Sequence, residues 1–160
     1  PQRVSRWFLP VSGDLRLGGD YQLEGHAAGQ VLECYPPRRL AVTWVSGGTG
    51  SRVIVELSPR EDGTELVLRH ELADDDHWRT YGAGATGVGW ELTLLGLAMH
   101  LAGAPPVGDP AEFLARPETQ ALLRASAGAW GDAEAASGTD AAVAQERAAR
   151  TSEADAPTGG

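Results

Sequence analysis

Between residues 15 and 72 the chain reads as one strand after another with only short turns between them, and that run commits it to an antiparallel meander. Residues 15–17 face residues 21–24 across Gly18-Gly19, a tight hairpin signal. Residues 30–35 stop at Pro36-Pro37, which have no N–H to give to a ladder. Residues 39–45 come next, then a glycine-rich loop at 47–50. Residues 52–58 and 64–72 complete the set, joined by a turn at 59–63. Alternation assigns the faces. Leu40, Val42 and Trp44 share a side, as do Val53, Val55 and Leu57, and Leu66, Leu68, His70 and Leu72. Glu65, Val67, Arg69 and Glu71 point the other way. A sheet with one apolar face and one charged face needs a cover for the first.

The expected cover is a helix over residues 86–102. It carries two apolar stripes: Val88, Leu92, Leu95 and Met99, and then Trp90, Leu94, Leu97 and Leu101. Gly89, Thr93, Gly96 and His100 lie between them. A helix this apolar is buried on more than one side, so it is expected to be gripped by the sheet and flanked by other helices. Beyond Pro105-Pro106, Asp109-Pro110 supplies a cap and a proline at the first helical position for a short helix with Phe113 and Leu114. Pro117 begins another, with Leu123, Ala127 and Trp130 on one stripe and Leu122 beside it; Gly138 ends it. Thr139-Asp140 cap an Ala-rich helix to about residue 150, and residues 151–160 are expected to be disordered.

Gly82-Ala83-Gly84-Ala85-Thr86-Gly87 spells G-x-G-x-x-G ahead of the long helix. A dinucleotide site needs those glycines in the tight turn of a βαβ unit with a second parallel strand after the helix. Here about ten residues separate strand from glycines, and only helical patterns follow. The motif therefore reads as a flexible hinge that also lets the helix pack closely. Composition narrows the chemistry further. Acidic residues number 22 against 13 basic, a net charge of −9, which argues against nucleic acid as a partner. Every basic residue is arginine, which excludes a phosphate-loop or Schiff-base lysine. Cys34 is the lone cysteine, so no intrachain disulfide forms and a reducing, cytoplasmic setting fits. No run approaches the roughly 20 apolar residues of a membrane span, and no signal peptide is visible. His26, Cys34, His70, His77 and His100 lack zinc spacing, Asp74-Asp75-Asp76 reads as a solvated loop, and no G-x-S-x-G elbow occurs. No metal or other cofactor is expected.

Several motifs together resemble a known family. Trp7-Phe8-Leu9-Pro10, Gly13-Asp14-Leu15-Arg16-Leu17-Gly18-Gly19, Gly29-Gln30-Val31, Pro36-Pro37-Arg38-Arg39-Leu40, Thr43-Trp44, Thr64-Glu65-Leu66, His70 and Gly87-Val88-Gly89-Trp90 carry the likeness. It is to the bacterial proteins related to the C-terminal domain of the activator of Hsp90 ATPase, the activator of Hsp90 ATPase homologue 1-like proteins. These belong to the SRPBCC, or START/Bet v 1-like, superfamily. The resemblance covers about residues 6–101. It implies an α+β helix-grip fold, a curved antiparallel sheet around a long C-terminal helix with a hydrophobic cavity between them. Residues 1–104 would form that domain, 105–137 a helical extension, and 138–160 an Ala-rich helix and disordered tail. The family's first strand and first long helix have no counterpart, and the chain opens on Pro1, so an N-terminally truncated member is expected, with residues 2–8 as the end of a second helix. The Hsp90-binding domain of the eukaryotic activator also lacks a counterpart, so an Hsp90-type chaperone contact is not expected.

Within that frame His70 is the most pointed residue, because alternation puts its imidazole among leucines, where a polar group needs a partner. One role is to anchor a ligand's carbonyl or hydroxyl; another is acid/base chemistry; a third is purely structural, bonded to Tyr81 or to backbone. The leading expectation is a small hydrophobic or amphipathic ligand held without covalent chemistry by Trp44, Leu66, Leu68, His70, Tyr81, Trp90 and Leu94. A polyketide cyclase-like enzyme using His70 is the first alternative, and a stress-response interaction module the second.

Overall fold

The computed structural model describes residues 2–154, which fall into two compact units that divide between Ala73 and Asp74. The first unit opens with a single 3-10 turn, Val4–Arg6, and then forms six strands: β1 (Val11–Gly13), β2 (Asp20–Leu23), β3 (Ala27–Tyr35), β4 (Arg39–Ser46), β5 (Thr49–Arg60) and β6 (Gly63–Glu71). They lie side by side in sequence order, every neighbouring pair antiparallel. The meander is as the turn chemistry requires, except at its start. Residues 15–17, expected as a strand, are irregular, and β1 lies just before them. The reason is local: Gly19 N–H bonds back to the Arg16 carbonyl, while Gly18 N–H and the Gly19 carbonyl pair with Val31 of β3. The Gly18-Gly19 turn is thus spent on β3 rather than on closing a hairpin.

Register fixes what each face carries. Val31, Val42, Val53 and His70 form one row across β3 to β6, Leu40, Val55 and Leu68 the next, and Trp44 stands opposite Ser51. Val31, Val42, Trp44 and Val53 are buried, which makes this the core side of the sheet. The opposite side is charged. Glu33 pairs with Arg39 and Arg52 at 2.7 Å each, and Glu56 joins Arg39 at 2.5 Å and Arg69 at 2.7 Å. Ala41 and Ile54 are buried on that side too, flanked by Arg39, Arg52 and Arg69, whose aliphatic stems are long enough to cover them.

At the β2 end, Tyr21 stands between Gly13 and Gly29 in register, and its hydroxyl donates to the Thr43 carbonyl at 2.7 Å. Glycine is required at 29, because a Cβ there would lie 2.0 Å from that same carbonyl oxygen.

The second unit contains α1 (Asp76–Tyr81), α2 (Gly84–Leu101), α3 (Pro110–Ala115), α4 (Pro117–Ala136) and α5 (Ala141–Ala154). Of the acidic run expected as a loop, Asp74 and Asp75 lie outside any element, while Asp76 begins α1 and Asp75 accepts the Trp78 N–H at 2.9 Å as its N-cap. The expected stripe on α4 docks as read: Leu123 and Ala127 pack with Val88 of α2, and Leu92 and Trp130 close the cluster. The last helix passes residue 150 and runs to Ala154, with Thr151 buried, so residues 151–154 are helical rather than disordered. Residues 155–160 lie outside the described residues.

Candidate functional site

The sheet's core-side face brings four of the expected residues together. Leu66, Leu68 and His70 alternate along β6 and are half-buried, and Trp44 is buried on β4. His70 lies edge-on to Trp44 with ring centroids 5.9 Å apart, and His26 meets the same indole at 5.6 Å. These are the edge-to-face distances at which aromatic rings attract.

The polar partner of His70 is Ser51, which the sequence reading missed. Ser51 Oγ is 2.8 Å from His70 Nε2 and 3.0 Å from the Trp44 carbonyl oxygen. A hydroxyl that close to a carbonyl oxygen directs its one hydrogen there, because two sets of oxygen lone pairs would repel. The serine oxygen then accepts, so His70 donates Nε2–H to it, which places a proton on Nε2. Burial lowers the imidazole pKa below its ordinary value. Ser51 lies just outside the strand that the sequence predicts over residues 52–58. The strand starts at Thr49, and period-two alternation carried back from Val53 puts Ser51 on the face of His70.

Tyr81, Trp90 and Leu94 belong to the helical unit. Tyr81 ends α1, with its ring 5.0 Å from that of His77 and its carbonyl accepting from the Thr151 hydroxyl at 3.1 Å. Trp90 and Leu94 are one turn apart on α2, the leucine 37% exposed.

The glycines at and just before the start of α2 are seats for side chains of the C-terminal helices. A Cβ on Gly82 would meet Glu134 at 2.1 Å, one on Gly84 would meet Thr151 at 3.2 Å, and one on Gly87 would meet the Trp130 indole at 2.2 Å. No strand follows α2 among the described residues. The motif's spacing therefore serves close packing, and Gly82, at a φ of 61°, turns the chain between α1 and α2.

An open hollow of about 810 Å³ lies over β1 to β4, bordered by Asp20, Gln22, Gln30 and Thr43, and contains none of the expected site residues except through strand neighbours. Among the described residues no group of three or more His, Cys, Asp or Glu side chains is placed to hold a metal ion. Nor is any described helix long and apolar enough to cross a membrane.

Residues 1–102 match the family model described as Activator of Hsp90 ATPase homolog 1-like protein. The crystal structure of CalU16 from Micromonospora echinospora is 37% identical, covering 82% of this chain and 73% of that one, with a TM-score of 0.68. The solution NMR structure of CalU16 is 38% identical over 87% of this chain and 76% of that one, with a TM-score of 0.71. The crystal structure of PFC0360w, an HSP90 activator from Plasmodium falciparum, is 27% identical over 65% of this chain and 79% of that one, with a TM-score of 0.50. A comparison with curated proteins gives no match. The sheet and the long helix are those of an α+β, helix-grip-like architecture, as the motifs implied.

Proposed function

The chain belongs to the Activator of Hsp90 ATPase homolog 1-like family, and from that premise we propose that it binds a small hydrophobic or amphipathic ligand without covalent chemistry. The ligand lies against the sheet face that carries Trp44, Leu66, Leu68 and His70. One observation carries this reading: a histidine is held in a fixed orientation, by Ser51 and by the Trp44 ring, within a face built mostly from valine and leucine. An apolar surface with one or two placed polar groups is the usual anatomy of a small-molecule site. Leu66 and Leu68 keep apolar surface to be covered, worth roughly 25 cal/mol per Å² removed from water. The imidazole orients the ligand's polar end.

The hydrogen bonds favour binding over nucleophilic chemistry. A serine nucleophile needs a base with a lone pair aimed at its hydroxyl hydrogen. In this arrangement the Ser51 hydrogen points at the Trp44 carbonyl, and His70 presents N–H to the serine oxygen. The pair is a positioning device.

Titration with anilinonaphthalene sulfonate, an amphipathic fluorescent probe, tests the reading. Saturable binding is expected, weakened about tenfold by His70→Ala, an amount typical of one buried polar contact, and abolished by Leu68→Asp, with the fold retained. Unchanged affinity in both variants would refute it.

A further inference from the structure

The ends of α1 and α2 that meet at the junction are capped by residues far along the chain. Ala83, at the N-terminus of α2, has no side-chain oxygen to cap the orphan N–H groups of the first turn. Its own N–H is taken by Glu134 Oε2 at 3.1 Å. At the C-terminus of α1, the Arg79 carbonyl accepts from Arg147 Nε at 3.0 Å and the Tyr81 carbonyl from Thr151 at 3.1 Å. These bonds join residues 51, 68 and 70 positions apart. Glu134 and Arg147 are also paired with each other, their side chains only 4% and 16% exposed. One carboxylate thus serves an N–H of α2 and the arginine that serves α1.

α5 holds its place with little apolar burial. Its buried residues are Ala144, Ala148 and Thr151, three small side chains, and Ala148 reaches α4 at Gly131, where a Cβ would come within 2.8 Å. A helix that buries so little and depends on a buried ion pair sits at the low-stability end of a fold, where local opening precedes global unfolding.

We propose that α5 is a latch on the α1–α2 junction, with the Glu134–Arg147 pair as its bolt. Docked, it fixes both helix ends; undocked, it frees both in a single local step. The contacts of Leu123 and Ala127 with Val88 and Leu92 keep α4 on α2 throughout, so the opening stops at α5 and residues 81–87.

Native-state hydrogen exchange on the full chain tests this. In the wild type, amides of α5 and of residues 82–87 are expected to exchange through one shared opening of lower free energy than that of mid-α4. Glu134→Gln removes the charge and keeps an acceptor. It is expected to speed exchange in both segments together by about tenfold or more, with mid-α4 and β4 unchanged. Thr151→Val, nearly isosteric, is expected to shift the same two segments in the same direction by less. The latch is refuted if residues 82–87 keep their wild-type exchange when α5 is loosened. It is equally refuted if α5 exchanges only with the global unfolding that exposes β4.

Discussion

Ser51 stands 2.8 Å from His70 across the β5–β6 pair and passes its own hydrogen to the backbone of Trp44, 3.0 Å away. One hydroxyl thereby receives the Nε2–H of the histidine and orients its ring on a largely apolar face. The half-buried imidazole is a satisfied polar group, because its Nε2–H bonds to Ser51 and its neutral form is the one burial favours.

That charge state has a pH signature. The unfolded chain binds a proton on His70 near the ordinary value of about 6.5, and the native chain does so only at lower pH. The unfolded state therefore holds more protons in that window, and stability falls as pH drops through it. Above about 6.5 the contribution is complete. Urea unfolding of the wild type and of His70→Phe across this range is expected to show the wild type losing its relative advantage on acidification. A pH-independent difference would contradict the neutral buried assignment.

Tyr21 gives the opposite sign. Burial pushes its phenol pKa up to about 12, so the unfolded chain loses that proton first and stability falls as pH rises from about 10. Ultraviolet titration of the native protein is expected to show one tyrosine ionising late. Tyr21→Phe is expected to cost about 1–2 kcal/mol in denaturant unfolding, the Thr43 carbonyl being left without its donor. A neutral substitution would mean that the bond across Gly29 adds nothing.

How much of this was legible in the sequence follows from which interactions are local. Alternation along Leu66, Leu68, His70 and Leu72 gave the face directly, since side-chain direction in a strand is fixed by the pleat. The stripe of Leu123, Ala127 and Trp130 likewise announced a docking face. What stayed hidden was set by contacts across many residues. Ser51 lay beyond a strand boundary that turn residues place only approximately. Asp75 caps a helix within a run that composition alone assigns to solvent. Thr151 looked like tail because nothing near it in sequence shows that Gly84 and the Tyr81 carbonyl await it.

Two glycines in the first turns of α2 make a sharp contrast. Gly87→Ala would place a methyl 2.2 Å from the Trp130 indole, and is expected to destabilise by about 1–3 kcal/mol through overpacking. Gly89, two residues on, has open space around its Cβ position, and Gly89→Ala is expected to stabilise by up to about 1 kcal/mol through helix propensity. Thermal melts of the two variants decide it. Equal effects would show that the spacing of the motif has no packing role.

Heteronuclear NMR maps whether a ligand occupies the proposed site on the sheet face around Trp44 and His70. Titrating the full chain with anilinonaphthalene sulfonate is expected to move the Trp44 indole N–H, the His70 ring resonances and the Leu66 and Leu68 methyls along one saturable curve, with Glu33, Arg39 and Arg69 on the charged face unmoved. Shifts that leave Trp44 and His70 untouched, or that follow the charged face instead, would contradict the account.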